Sequence, residues 1–450
     1  MNMWREIMTA YVRNFDEHKE IKSSPCICKS LNPVPIAYME NKYCEHCYPE
    51  KRSHFRMKFF NLFHYFIFNP FITILSKLFL LSEHDFLRFN NLLNQLIINI
   101  FHKLKLYTKT QTIDRKQFNN SLLAFWDEAQ RRRLELYNFK ESDIHTLYFM
   151  LVYNTKKYYF IQTPISLIYQ KNTRFDEDIK YDNKWTLKKK LLDIDSQIPC
   201  PLGRVFISSK NAYNYGISLG FPLVVKPLSE SLSIHTSCNI QTPNELKEAI
   251  KIVKQVDFRV LVEKHIPGDV YRSLIINDSL IACVRRQPES IVGDGVTTLQ
   301  ELIDKKNKVT RKEGNGKYPY KITPNSNLTK ILASQGVALN TVINKGQKIF
   351  IAKKITMGSG AKISNVTDLI HPANKLLLEK VHKILNIPLT GLDFICQDIS
   401  LPWYKQQFGI IENNSFPYMD LHLNPSDGKG INVAGKIWDY VLDVLSQKNE

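Results

Sequence analysis

Several things are scarce or missing in this 450-residue chain. The start, Met1-Asn-Met-Trp-Arg-Glu, is polar and has no apolar h-region, so no secretory signal is read there and a cytoplasmic, reducing setting is the expectation. Eight cysteines are an ordinary number for this length. Cys200, Cys238, Cys283 and Cys396 are scattered and read as small buried apolar residues, while the other four cluster near the N-terminus. There is no long low-complexity run, which argues against bulk disorder, and no tandem repeat. An uninterrupted membrane span is also missing. Phe59 to Leu81 is almost continuously apolar, but Asn61, His64, Asn69-Pro70 and Lys77 break it. Buried or interfacial helices are the favoured reading, membrane-surface contact the next, and a span the least favoured.

What is present points to a multidomain, ligand-binding chain. The length suggests two to four domains, and 44% hydrophobic residues supply ample cores. A net charge of +18 is spread along the chain rather than confined to one tail, which suits anionic ligands such as a nucleotide or an acidic peptide and equally a weak attraction to nucleic acid or anionic lipid. Residues 1–55 are polar and hold the cysteine cluster. Residues 56–118 are a hydrophobic helical segment, with Leu92-Leu93, Leu96-Ile97-Ile98 and Ile100-Phe101 continuing a helical period. Residues 107–120 read as a polar linker. From there a helix over Leu122–Arg133 leads into strands around 134–137, 146–153 and 157–162, the last two joined at Asn154-Thr155-Lys156. Residues 119–200 make a small α/β unit, and 201–450 alternate strands and helices.

The second half carries an ordered set of charges on short apolar segments that read as buried strands. Lys226 ends Gly220-Phe-Pro-Leu-Val-Val-Lys, where its ammonium can turn toward a phosphate. Ser229 and Ser231 follow in a candidate phosphate-covering loop that has no glycine. Glu263 ends Val260-Leu-Val-Glu and is placed to accept from adenine or ribose. Arg272 and Arg285 lie on two strands flanking an Asn277-Asp278 turn, at positions that could face the same side and neutralise a phosphoryl group there, or else be paired surface arginines. Asp393 and Glu412 are lone carboxylates in otherwise apolar strands, which is costly unless each is paired or metal-bound. Asn414 shares the face of Glu412. Two carboxylates and an amide oxygen suit magnesium better than zinc.

Taken in order, these segments resemble the ATP-grasp superfamily, most closely its cyanophycin synthetase-like branch, which shares features with the ATP-grasp part of bifunctional glutathione-synthesising enzymes. The resemblance covers roughly 120–450. It rests on Asp182-Asn-Lys-Trp with Lys189-Lys-Leu-Leu, Ile198-Pro-Cys-Pro-Leu-Gly-Arg-Val, Gly220-Phe-Pro-Leu-Val-Val-Lys-Pro and Val262-Glu-Lys-His-Ile-Pro-Gly. Further matches are Ile291-Val-Gly-Asp-Gly-Val-Thr-Thr-Leu-Gln-Glu-Leu-Ile, Asn365-Val-Thr-Asp-Leu-Ile-His-Pro-Ala-Asn, Gly391-Leu-Asp and Ile411-Glu-Asn-Asn. The resemblance implies α/β and α+β architecture: an ATP-grasp fold over 201–450, a small α/β pre-ATP-grasp domain over 119–200, and an unrelated helical N-terminal module. It also implies ATP and magnesium as cofactors. The reaction would join a carboxylate to an amine, on amino-acid or peptide substrates, through an acylphosphate. By position, Lys226 and one of Lys188, Lys189 and Lys190 should touch phosphates, Lys189 fitting the Lys-x-Leu-Leu spacing and Lys190 following from a one-residue slip. Glu263 would hold adenosine, Arg272 and Arg285 would lie near the transferred phosphoryl group, and Asp393, Glu412 and Asn414 would bind magnesium. Two departures stand out. The loop after Lys226 has serines in place of glycines, and Ile351-Ala-Lys-Lys offers Lys353 or Lys354 where the family has arginine.

Cys26-x-Cys28 and Cys44-x-x-Cys47 form a candidate four-thiolate zinc site, with His46 and His54 as substitutes. An alternative reading is a weakly catalytic ATP-grasp protein that uses this module and the basic surface to hold nucleic acid or membrane. The ligase reading expects no nucleic-acid partner, allows membrane contact through 59–81, and leaves self-association open. No Gly-x-x-x-x-Gly-Lys-Ser/Thr follows residue 430, so a second, Mur-ligase-like reaction is not expected.

Overall fold

The computed structural model describes most of the chain from 107 to 447 and, before it, the strand pair Val34–Ile36 and Met39–Tyr43. Residues 142–143, 172–180, 229–234, 313–321, 325, 353–354 and 356–360 lie outside the described residues. Outside them too fall the cysteines Cys26, Cys28, Cys44 and Cys47, the apolar stretch 59–81, the loop serines Ser229 and Ser231, and Lys353 with Lys354.

Two sheets position the charged residues. The smaller runs Gly203–Phe206, Val260–Lys264, Leu223–Pro227 and Ser237–Ile240, all antiparallel neighbours. The helices Ser209–Leu219 and Pro243–Lys254 cover one of its faces. There Ala212, Leu246, Ala249, Ile250 and Val253 pack on Leu223, Val225, Val260 and Val262. Strand alternation sends Lys226, Leu261 and Glu263 to the other face. The helix Pro243–Lys254 starts on a capping box, in which Thr242 and Glu245 satisfy each other's backbone N–H.

The larger sheet orders its strands as Lys362–Asn365, Ser279–Gln287, Asp269–Ile276, Leu389–Cys396 and Phe408–Asn414. One face buries Tyr271, Ile275, Cys283, Leu392, Phe394 and Ile410 under the helices Lys184–Ile194 and Pro372–Leu385. Tyr271, Phe394 and Phe408 stack there with ring planes 13–15° apart. On the opposite face Leu274, Ile276, Ala282 and Leu389 join one core with the C-terminal helix Val433–Ser446 and residues 122–168. Trp438 closes that core, donating its indole N–H to the carbonyl of Phe125 at 2.9 Å. Residues 290–352 insert a small unit with its own core around Leu299, Ile303, Ile343 and Ile349.

The strands expected between 134 and 162 are Glu135–Glu141, Ile144–Tyr153 and Lys156–Ile161. The turn between the last two is tight because Asn154 and Thr155 both take positive φ, 47° and 63°. The expected linker 107–120 is not a free connector. Thr108–Thr110 pairs as an edge strand with Glu135–Glu141, and its polar composition fits a strand bonded on one side only. Of the four cysteines expected to be buried, Cys283 and Cys396 are, Cys200 is partly exposed, and Cys238 is exposed. No helix among the described residues is long and apolar enough to cross a membrane.

Candidate active site

On the smaller sheet, Glu263 is 3% exposed and gives each carboxylate oxygen to a different lysine. Lys226 Nζ reaches Oε2 at 2.7 Å, and Lys188 Nζ donates to Oε1 and, at 2.5 Å, to the carbonyl of Pro201. Burial alone would push the Glu263 pKa up, but the Lys226 and Lys188 ammoniums outweigh it and hold the carboxyl below its usual range. Lys226 is buried as well, yet Glu263 keeps its pKa above the ordinary lysine value. Gly203 makes room for this arrangement. A Cβ there would stand 2.6 Å from Glu263 Cγ and 2.5 Å from the carbonyl oxygen of Val262.

The lysine run resolves differently from the expectation. Lys188 points into the cluster, while Lys189 is exposed and Lys190 only partly buried. The reason lies in the helix Lys184–Ile194, whose buried residues are Lys184, Leu187, Lys188 and Leu191, an i, i+3/i+4 stripe that puts Lys189 toward solvent. Lys184, one turn before Lys188, stands 3.7 Å from Glu412. It was not singled out from the sequence, although the i, i+4 lysine pair beside Leu187 and Leu191 was a usable signal.

On the larger sheet, Asp393 lies directly across from Arg272 on one neighbouring strand and from Glu412 on the other. Asn414 is opposite Gly391 on the same face, 3.3 Å from the Gly391 carbonyl through its amide nitrogen. The strand bulges beside Glu412, where the register shifts between Asp393 and Phe394. Gly391 leaves space that a Cβ would fill, 2.6 Å from Pro417 and 3.3 Å from the Arg272 side chain. Asp393 accepts from Arg272 along one guanidinium edge, Nε to Oδ1 and Nη2 to Oδ2, and from Arg286 Nη1 at 3.2 Å. Burial would raise its pKa, and the two arginines with Lys184 bring it below the usual carboxylate range.

The expected partner of Arg272 was Arg285, and here the structure corrects the sequence. A bulge between Leu274 and Ile275 shifts the hairpin register, so that Arg272 faces Val284 and Tyr271 faces Arg285. One extra residue exchanges the two faces of the strand. Arg286 therefore joins Arg272 at Asp393. Arg285 sits on the other side, a third exposed and 4.0 Å from Asp269. His422 is a further residue the sequence reading missed. It is 1% exposed, neither ring nitrogen makes a hydrogen bond, and burial pushes its pKa down to about 3, with Arg272 and Arg286 adding to the fall and Asp393 opposing it.

The two clusters share one electrostatic field. Glu412 stabilises the charge of Lys226 on one sheet and of Arg272 on the other. Five cationic side chains (Lys184, Lys188, Lys226, Arg272 and Arg286) meet the carboxylates of Glu263, Asp393 and Glu412. That excess of positive charge suits a polyanion. Asp393, Glu412 and Asn414 offer hard oxygen donors from adjacent strands, which fits magnesium. Among the described residues no three His, Cys, Asp or Glu side chains gather as a metal site, so such an ion would also need the Asn414 amide and oxygens from its ligand.

No protein-family model matches the chain. Over 255 residues, 55% of its length, it is 31% identical to the cyanophycin synthetase of Synechocystis sp., and the match spans 29% of that protein. It is 29% identical over 266 residues to the glutathione biosynthesis bifunctional protein of Desulfotalea psychrophila, covering 58% of this chain and 34% of that one. In fold, the crystal structure of a bifunctional glutathione synthetase from Pasteurella multocida superposes with a TM-score of 0.51 at 22% identity, over 72% of this chain and 43% of that chain. Over about half its length the chain is similar to cyanophycin synthetases, and its fold is that of the ATP-grasp ligases. It spans about a third or less of the length of these two curated relatives. An ATP-grasp fold accounts for two sheets that turn their charged faces into one field.

Proposed function

We propose that this ATP-grasp chain is an ATP- and magnesium-dependent carboxylate–amine ligase that forms an amide or peptide bond through an acylphosphate. The observation that carries the reading is the opposition of two clusters: lysines gathered on Glu263, and hard oxygen donors lined up by strand register around Asp393. In this reading Lys226, Lys188 and Lys184 neutralise the phosphates. Glu263 fixes where two of those ammoniums stand, because each of its oxygens is already committed. The N–H groups of Lys264 and His265 donate to Leu202 and Pro222, so an adenine edge would be met further along, toward Ile266.

Magnesium, held by Asp393, Glu412, Asn414 and phosphate oxygens, would supply charge neutralisation across the terminal phosphates. Asp393 already accepts three hydrogen bonds from two arginines, two of them on Oδ2, so Oδ1 is the oxygen that keeps a further lone-pair direction for that role. An oxygen of the substrate carboxylate attacks the γ-phosphorus as the bond to the β-phosphate oxygen breaks, giving ADP and an acylphosphate. Arg272 and Arg286 are placed to neutralise the charge that moves with the phosphoryl group. The amine nitrogen then attacks the acyl carbon, inorganic phosphate leaves, and the nitrogen loses a proton. The family resemblance supports amino acids or peptides as the substrate class.

The test is phosphate release from ATP across a panel of amino acids and short peptides, with Asp393→Asn and Glu412→Gln as controls. Release that depends on one acid–amine pair, and is lost in both variants, supports the reading. Release in no combination, or equal release in the controls, removes it.

A further inference from the structure

The segment Asp182-Asn-Lys184 reaches the candidate metal strand from both of its sides. Asn183 caps the helix Lys184–Ile194, accepting from Trp185 N and Thr186 N at 3.0 and 3.1 Å, which fixes the residues beside it. Lys184 approaches Glu412 on the face that carries Asp393. Asp182 works from the opposite face. One of its oxygens, Oδ1, accepts from Asn413 Nδ2 at 2.8 Å, from Ser415 N at 2.9 Å and from Ser415 Oγ at 2.9 Å. Asn413 and Ser415 are buried, at 1% and 0% exposure, and alternate along the chain with Glu412 and Asn414. Asn413 is held again from the neighbouring strand by the Thr390 hydroxyl.

We propose that Asp182 is a positioning residue for the oxygen donors Glu412 and Asn414. Phe408–Asn414 is an edge strand, bonded to Leu389–Cys396 on one side only. Its last residues have no second ladder to hold them in register. Asp182 takes that place, pinning the residues on either side of Asn414 through backbone and side chain. The inference rests on the magnesium role proposed above. Groups that orient metal ligands without touching the metal typically cost about 10- to 100-fold in metal affinity when removed. All three bonds end on a single oxygen, so an asparagine that keeps an oxygen in that place keeps the clamp.

The test uses the full chain with ADP and Mn2+ as the magnesium probe, with bound Mn2+ read by electron paramagnetic resonance and no turnover needed. Asp182→Ala is expected to weaken nucleotide-dependent Mn2+ binding about tenfold, while Asp182→Asn stays within about twofold of the unmodified protein. Should Asp182→Ala not fold, Ser415→Ala removes one of the three donors and is expected to shift binding about threefold in the same direction. Unchanged binding in Asp182→Ala, or in Ser415→Ala where that variant stands in, overturns the inference. So does a loss in Asp182→Asn as large as in Asp182→Ala, because the charge rather than the clamp would then be at work. If the unmodified protein binds no Mn2+ with ADP, the magnesium reading itself fails, a different result from either of these.

Discussion

Arg272 and Asp393 stand directly across from each other on neighbouring antiparallel strands and are joined by two hydrogen bonds along one guanidinium edge, with both side chains buried. Removing either partner leaves the other charge inside the sheet, largely shielded from water. Arg286 alone cannot satisfy both oxygens of Asp393, since it donates to one of them. Arg272→Leu is therefore expected to destabilise the fold by about 3 kcal/mol, as for other buried pairs broken from one side. Urea unfolding followed by circular dichroism measures it, and a loss below about 1 kcal/mol would show that the pair is not structurally important.

Lys188 and Lys189 are chemically alike and differ only in direction. Lys188→Met should lower ATP-dependent phosphate release by about 100-fold, the usual scale for losing one preorganised charge donor. Lys189→Ala should leave it within about twofold, because its side chain is exposed on the helix's outer face. Steady-state release assays on the two proteins decide. Equal losses would mean that the helix turns differently when nucleotide is bound.

Those two lysines also show where sequence reading stops. A lone carboxylate in an apolar run is a strong signal, so Asp393, Glu412 and the strands that carry them were legible in advance, as was the face shared by Glu412 and Asn414. Direction was not. Choosing among three consecutive lysines needs the helix phase, which Leu187 and Leu191 fix only once the sheet beneath them is known. Choosing between Arg285 and Arg286 needs the hairpin register, and a single bulged residue reverses it. The role of Asp182 was hidden for another reason. Its partners are 231 and 233 residues away, and a contact at that range has no local pattern.

Gly203 lies opposite Glu263 in the smaller sheet, and its missing side chain is the space Glu263 occupies. The near atoms include the Val262 carbonyl oxygen at 2.5 Å and Glu263 Cα at 2.9 Å, backbone that cannot swing aside as a side-chain tip would. Gly203→Ala is expected to cost about 1–3 kcal/mol through overpacking. It should also weaken ADP binding, because Glu263 can move only by dragging Lys188 and Lys226 with it. Calorimetric titration of ADP into the folded variant measures this, and unaltered affinity would separate Glu263 from nucleotide binding.

His382 and His422 both occupy places where a protonated ring is disfavoured. Burial pushes His382 down to about 4, with Lys383 adding to the fall and Asp278, 3.5 Å away, opposing it. His422 is driven to about 3 by burial and then by Arg272, against Asp393. An unfolded histidine titrates near 6.5, so the folded chain binds fewer protons than the unfolded chain below that pH. The stability these rings contribute is present above about 6.5 and drains away as pH falls toward about 4. Asp182 runs the other way: raised to about 6 by burial, it contributes most when protonated and loses that contribution as pH climbs through 6. Two depressed histidines outweigh one raised carboxyl, so the melting temperature is expected to drop between pH 6.5 and 4.5. His382→Leu should flatten that slope, since it removes one of the two rings that must gain a proton on unfolding. Thermal unfolding of both proteins across this range is the check, and parallel curves would show that His382 takes up its proton without opening the fold.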